Sequence, residues 1–125
     1  MSEPTRERIG RDHRLVSGRD YARVRGQGIA FRGTHCLAVV LDEGDAPTRV
    51  GFVASKKGVG GAVQRNRARR RLREIVRRRW SGMRETGLLI MFVAHRSCLV
   101  APHAELAADV ERVLAAAGAW SAERS

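Results

Sequence analysis

The sequence predicts an α+β fold, a single-domain α-β sandwich in which a small mixed sheet is packed on one side by helices. Three observations carry this reading. The chain has 125 residues, the length of one domain and enough to bury about two-thirds of its unfolded surface. Short apolar, β-branched runs at 36–41, 49–55 and 88–94 have strand length. Between and around them, apolar residues recur at helical spacing, which gives the order α-β-β-α-β-α and leaves room at Phe31 for a further short strand.

Residues 1–12 are polar and of mixed charge and read as a flexible tail, 13–118 as the domain, and 119–125 as a C-terminal tail. The first helix is signalled by Ser17 as N-cap, Asp20 three positions on as its capping-box partner, and Val16 placed to staple onto Tyr21. Gly26 and Gly28 stop it. The run 36–41 is a strand, 42–47 a turn cluster rich in acids, and 49–55 the return strand of a hairpin. After Gly61 a helix places Ala68, Leu72, Ile75 and Val76 on one side and Asn66, Arg67, Arg70, Arg71, Arg73, Glu74, Arg77 and Arg78 on the others, with Trp80 at its edge and Gly82 at its end. The run 88–94 is apolar on both faces and is therefore expected in the centre of the sheet. A last helix follows Pro102, with Leu106, Ala107, Val110, Val113, Leu114 and Ala117 inward and Gly118 as terminator. The strand–helix–strand unit from 49 to 94 is a β-α-β crossover, right-handed by the general rule.

Composition narrows the function. Net charge is +11, yet residues 46–84 hold thirteen Lys or Arg against one acid, Glu74, so the charge is local. A helix face carrying nine arginines and a single acid lacks the i,i+4 partners of an ordinary solvated face and repels itself without a polyanion. Ahead of it, Gly58, Gly60 and Gly61 allow backbone N–H groups to approach phosphates at a helix N-terminus, with Lys56 and Lys57 at the mouth. Arg65, Arg67, Arg70 and Arg73 supply planar forks for phosphate, and Asn66 a donor and an acceptor. Together they suit a folded RNA, read by shape.

Other chemistries are poorly supported. GxxxxGK[ST] is absent, and Gly58-x-x-Gly61 follows a strand, whereas the GXXG clamp of KH domains joins two helices. His35-Cys36 and His95-x-x-Cys98 lack the tight chelating spacing of zinc sites, and the two cysteines read as reduced, buried thiols. His13, His35, His95 and His103 read as surface or strand residues, and no nucleophile–base set or carboxylate pair suggests a catalytic site. No apolar run reaches the ~20 residues of a membrane span, and the N-terminus has no apolar signal stretch, so a cytoplasmic protein is expected.

Ser55-Lys56-Lys57 followed by Ala62-Val63-x-Arg65-Asn66-Arg67-x-Arg69-Arg70-x-x-Arg73-Glu74 resembles the signature of the bacterial ribonuclease P protein subunit, with its Arg-Asn-Arg motif. Arg14-Leu15, Asp20-Tyr21-x-x-Val24 ending at Gly28, and Arg49-Val50-Gly51-Phe52 lie in family order, so the resemblance spans roughly 13–118. It implies a left-handed crossover in place of the general rule. It also implies a non-catalytic protein that partners ribonuclease P RNA, whose magnesium-assisted chemistry removes the 5′ leader of precursor tRNA. The protein itself binds no cofactor in this reading. RNA contacts carried over are Lys56, Lys57, Arg65, Asn66, Arg67, Arg70 and Arg73. The leader would lie in a cleft between the first helix and the sheet, where Tyr21 stacks a base and Arg25 and Val39 stand in places that are aromatic in the family. Tyr21 is equally explained as a staple residue. A structural or ribosome-associated RNA-binding protein and a nucleoid-type DNA binder are the rival readings. The sequence does not fix whether the chain self-associates.

Overall fold

The computed structural model describes residues 9–124. Three helices, α1 (Gly18–Gln27), α2 (Ala62–Arg78) and α3 (His103–Ala116), pack on four strands, β1 (Ile29–Arg32), β2 (Cys36–Pro47), β3 (Arg49–Val53) and β4 (Thr86–Ala94). The sheet order is β1-β2-β4-β3, antiparallel except for the parallel β3–β4 pair that α2 connects.

The expected hairpin does not form. β4 lies between β2 and β3, in register with both, Ala38 and Phe52 each opposite Phe92. The reason lies in β4 itself. All but two of its nine residues are buried, and only a position flanked on both edges and covered on both faces satisfies such a strand. The acidic cluster is also not a turn, because β2 continues through it to Pro47, which pairs with Thr86 after a register shift beyond Asp42. A bulge bends the strand and leaves Asp42, Gly44 and Asp45 in solvent.

Period-2 alternation divides the sheet into two apolar faces. Cys36, Ala38, Val40, Val50, Ile90, Phe92 and Ala94 face α2 and α3 and join Leu72, Ile75, Val76, Leu106, Val110 and Leu114 in the main core. Leu89 and Met91, with half-buried Val39, Leu41, Val53 and Val93, face the other way and pack on Leu15, Tyr21 and Val24. The helices therefore cover both faces, not one, because β2 and β4 are apolar on both and α1 takes the second.

The ends also differ from expectation. Residues 1–8 of the expected N-terminal tail lie outside the described residues. Ile9 is buried in the main core, and residues 11–13 form a 3₁₀ turn whose His13 Nδ1–H donates to Thr48 O at 2.6 Å. At the other end Ala119 is buried, and Trp120 bridges to Met83 and packs on the core. The staple at Val16 is absent: Val16 is 79% exposed, and its neighbour Leu15 is buried instead. Ser17 caps α1 as expected, accepting from the Asp20 N–H. The Asp20 carboxylate lies against Arg23 and Arg49, and Arg23 also forks onto both carboxylate oxygens of Glu43 at 2.5 Å. These pairs tie α1 to β2 and β3.

A polar network closes the sheet end opposite the bulge. Asp109 is fully buried on the inner side of α3, and its carboxylate accepts the N–H groups of Thr34 and His35 at 2.8 Å each. Burial pushes this carboxyl up, but those two N–H groups, with Arg112 and the Cys36 thiol, hold it below the usual carboxylate range. His35, expected on the surface or a strand, is buried between Ser97 Oγ (2.8 Å) and Glu105 Oε2 (2.6 Å). Cys36 and Cys98 are free, buried thiols, and burial pushes both up, away from reactivity.

Candidate nucleic-acid interface

The basic helix α2 sorts its cations by position. Its inner side is Ala68, Leu72, Ile75 and Val76, all fully buried. Arg71 turns inward as well, donating from Nη1 to Cys98 O at 2.6 Å and from Nη2 to Ala101 O at 2.7 Å. It thereby fastens α2 to the 3₁₀ turn after β4. Glu74 accepts from Arg77 and Arg78 at 2.5 and 2.7 Å. These two hydrogen bonds hold its carboxyl down at about 2. Arg79 pairs with Glu111 on α3. The arginines at the C-terminal end of α2, 77–79, are thus paired with acids.

Among the described residues, the arginines from 65 to 73 pair with no acid. Arg67, Arg70 and Arg73 are exposed and Arg65 is half-buried. Among the described residues, nothing hydrogen-bonds to the side chains of Lys56, Lys57, Arg65, Arg67 or Arg70. Asn66 accepts from Arg69. Val63, Asn66, Arg69, Arg70 and Arg73 line a shallow recess on this face. Its first turn contains no acid and Gly61 offers no side-chain cap, so the first N–H groups of α2 point outward unneutralised. The preceding loop is pinned by buried Val59 and by Ser55, whose Oγ accepts from Gly58 N at 2.8 Å. Gly60 sits at φ +138°, a conformation other residues adopt only with strain. Of the seven residues Lys56, Lys57, Arg65, Asn66, Arg67, Arg70 and Arg73, Asn66, Arg70 and Arg73 share the recess, Arg65 and Arg67 flank it on either side of the helix, and Lys56 and Lys57 are exposed on the loop ahead of it.

Tyr21, Arg25 and Val39 lie on the α1 side of the sheet. Tyr21 and Val39 are half-buried around Leu89 and Met91, and Arg25 Nη2 reaches Met91 Sδ at 3.9 Å. Tyr21 also approaches β3: a Cβ on Gly51 would come within 2.1 Å of its hydroxyl, so any side chain there would displace the Tyr21 ring. Burial pushes the Tyr21 phenol up, against a backbone hydrogen bond from Phe52 and the charges of Arg73 and Arg69, which pull it down.

The charge of Arg73 acting on Tyr21 joins two groups that sequence reasoning kept apart. Along the outer edge of β3, a cavity of about 410 Å³ is lined by Ile9, Arg14, Leu15, Val16, Tyr21, Val50, Gly51, Phe52, Arg73 and Arg77. Leu15 N–H donates to Val50 O at 3.0 Å, so residues 14–15 extend the sheet at this edge and form one wall. Phe52 stacks on Phe92 with ring centroids 5.7 Å apart, and Arg73 lies over Phe52 at 5.5 Å. Arg14, Phe52 and Arg77 went unnoticed as site residues. Only the strand order and the helix crossing bring them to Tyr21, and the one local signal was Arg14 next to an apolar residue ahead of a capped helix. Among the described residues, no group of three or more His, Cys, Asp or Glu side chains could hold a metal ion, and no helix is long and apolar enough to cross a membrane.

Comparison with known proteins gives one answer. The family model described as Ribonuclease P matches residues 9–118. A ribonuclease P protein component of Symbiobacterium thermophilum is 40% identical over 107 residues, covering 85% of this chain and 91% of that protein. Its counterpart in a Pseudanabaena species is 36% identical over 84% of this chain and 90% of its own length. Among solved structures, the RNase P protein of Thermotoga maritima superposes with a TM-score of 0.71 at 22% identity, over 82% of this chain and 94% of that one. That of Staphylococcus aureus gives 0.70 at 22%, over 87% and 98%. At that identity the two structures establish the shared fold.

Proposed function

This chain belongs to the ribonuclease P protein family, and from that premise we propose that it binds the catalytic RNA of a ribonuclease P and the 5′ leader of precursor tRNA. As a family member it is the protein component of an endoribonuclease that processes tRNA. The observation that carries the finer reading is the segment 56–73, where an acid-free, uncapped helix start follows a lysine-bearing loop and the side chains of Lys56, Lys57, Arg65, Arg67 and Arg70 have no hydrogen-bonding partner among the described residues. Such a segment binds phosphates by shape and charge and neutralises the repulsion that builds up when two RNAs dock.

In this reading hydrolysis belongs to the RNA and its magnesium ions, and the protein carries no catalytic group. Lys56, Lys57, Arg65, Asn66, Arg67, Arg70 and Arg73 hold the RNA, while Tyr21, Arg25 and Val39 receive the leader. Arg25 and Val39 offer a cation and an aliphatic surface, so leader binding here leans on charge more than on base stacking. The complex acts in the cytoplasm. The test is cleavage of leader-bearing precursor tRNA by a bacterial ribonuclease P RNA at low magnesium, with and without the protein. Cleavage at the mature 5′ end that needs both supports the reading. Tight RNA binding without stimulation, on the cognate RNA, would leave a structural RNA-binding protein on the same fold.

A further inference from the structure

Of the six arginines between 65 and 73, three are held by the fold, each in a different way. Arg71 is committed to the carbonyls of Cys98 and Ala101, and Arg69 donates to the Asn66 side chain. Arg73 is held by a ring instead. Its guanidinium carbon lies over Phe52, 5.5 Å from the ring centroid, and among the described residues it is the only cation so placed. The acid next to it in sequence, Glu74, is taken up by Arg77 and Arg78.

The ring is itself anchored. Phe52 lies opposite Phe92 across the parallel β3–β4 pair and stacks on it at 5.7 Å, with an interplanar angle of 11°. Phe92 is fully buried, so the stack carries the rigidity of the main core out to an exposed arginine. A ring face differs from a carboxylate or a carbonyl as a support. It attracts the cation through its quadrupole and cancels none of the charge, so N–H donors remain for a phosphate. An unsupported arginine loses rotamer freedom on gripping a ligand, and one already seated loses less. Arg73 borders both the recess on α2 and the cavity at the edge of β3, so the direction of its fork matters more than on the open face of the helix.

We propose that Phe52 is a positioning residue for RNA binding: its ring, anchored on Phe92, holds the Arg73 guanidinium in the orientation that meets a backbone phosphate. The phosphate contact rests on the reading above; the support of Arg73 by Phe52 does not. Phe52 acts here through Arg73 and needs no contact with RNA of its own.

Tyr21 reports the support without RNA. It is the one tyrosine of the chain, so its phenolate absorbance is unambiguous. Burial pushes its phenol up, and the charge of Arg73 pulls it down. Loosening Arg73 should therefore move the titration of Tyr21 to higher pH. Two variants are compared: Phe52→Leu, and Phe52 replaced by a trifluorophenylalanine, which keeps the ring in place and drains charge from its face. Both should raise the Tyr21 titration, and the fluorinated ring should have no such effect in an Arg73→Met background. Both should weaken binding of the full chain to ribonuclease P RNA about two- to fivefold. The slope of log K against log salt should stay at its wild-type value, because the phosphate is still met, whereas Arg73→Met should lower it by about 0.7–0.9.

A Tyr21 shift in the fluorinated chain that persists beside Arg73→Met would overturn the proposal. So would full RNA affinity in the fluorinated chain with weak binding by Phe52→Leu, the pattern of a purely structural ring. Undiminished binding by both, with Arg73→Met weakened, would remove Phe52 from RNA binding and leave the RNA reading intact. Undiminished binding by Arg73→Met would remove Arg73 from the RNA contacts, and the proposal falls with that part of the reading even where Tyr21 still reports the support.

Discussion

Replacing Arg71 and Arg67 separately by Met tests whether α2 divides its cations between fold and RNA. The two residues are one helical turn apart, chemically identical, and indistinguishable by charge. Arg71 makes two charge-assisted hydrogen bonds, to Cys98 O at 2.6 Å and Ala101 O at 2.7 Å. Each such bond contributes about 1.5–3 kcal/mol, and water entering at this half-buried site recovers part of it, so Arg71→Met should cost about 2–4 kcal/mol. In a domain of this size that lowers Tm by roughly 8–16 °C. Arg67 is exposed and without a hydrogen-bonding partner among the described residues, so Arg67→Met should change stability by under about 0.5 kcal/mol. Its effect belongs to RNA binding: one lost phosphate contact lowers the slope of log K against log salt by about 0.7–0.9. The affinity gap from wild type should then narrow about threefold between roughly 50 and 200 mM salt. Thermal melts and salt-series binding to ribonuclease P RNA, both on folded protein, measure the two effects. If Arg71→Met flattens the slope as much as Arg67→Met and leaves Tm alone, the inward placement of Arg71 is wrong, and with it the division of cations.

Four other outcomes are expected. Leu72→Ala, at a fully buried position in the main core, should destabilise by about 2–5 kcal/mol in chemical denaturation. Asp109→Ala strands the N–H groups of Thr34 and His35 and should cost about 2–5 kcal/mol, with hydrogen exchange rising first at 33–36; protection unchanged there would refute the clamp. Gly51→Ala forces Tyr21 aside and should weaken preference for leader-bearing over mature tRNA more than it weakens RNA affinity. The Glu74 carboxyl is depressed from an ordinary 4.5 to about 2, so its contribution to stability is complete above 4.5 and lost as pH falls toward 2. Glu74→Gln should therefore lose stability relative to wild type at neutral pH and match it near pH 2, in urea melts at each pH.

Much of the fold and of the RNA-facing surface was legible in the chain because it depends on local pattern. The 3.6-residue spacing of Ala68, Leu72, Ile75 and Val76 fixes which side of α2 is buried, whatever it packs on. Ser17 caps α1 through a bond that spans three residues. The apolar run of β4 demands the middle of a sheet, and the excess of arginine over acid demands a polyanion. The resemblance in the segment from Ser55 to Glu74 supplied the family.

What the pattern could not supply is which distant segments meet. Two apolar strands with a turn-like cluster between them read as a hairpin, yet β2 and β3 lie apart because β4 gains more by entering between them than either gains from the other. The apolar spacing of α3 does not single out Asp109, and only the β1–β2 turn brought against it turns a costly buried charge into a satisfied one. Arg71 and Arg67 carry the same side chain one turn apart, and the carbonyls left open after β4 decide that one serves the fold. Tyr21 and Arg73, 52 positions apart, share a cavity because α1 and α2 cover opposite faces of one edge strand. Sequence by itself determined the elements, their buried sides and the location of charge, since each is set within a few residues. The tertiary structure decided strand order, buried polar pairing and the shape of the recess, since those depend on contacts between segments whose separation along the chain says nothing about their distance in space.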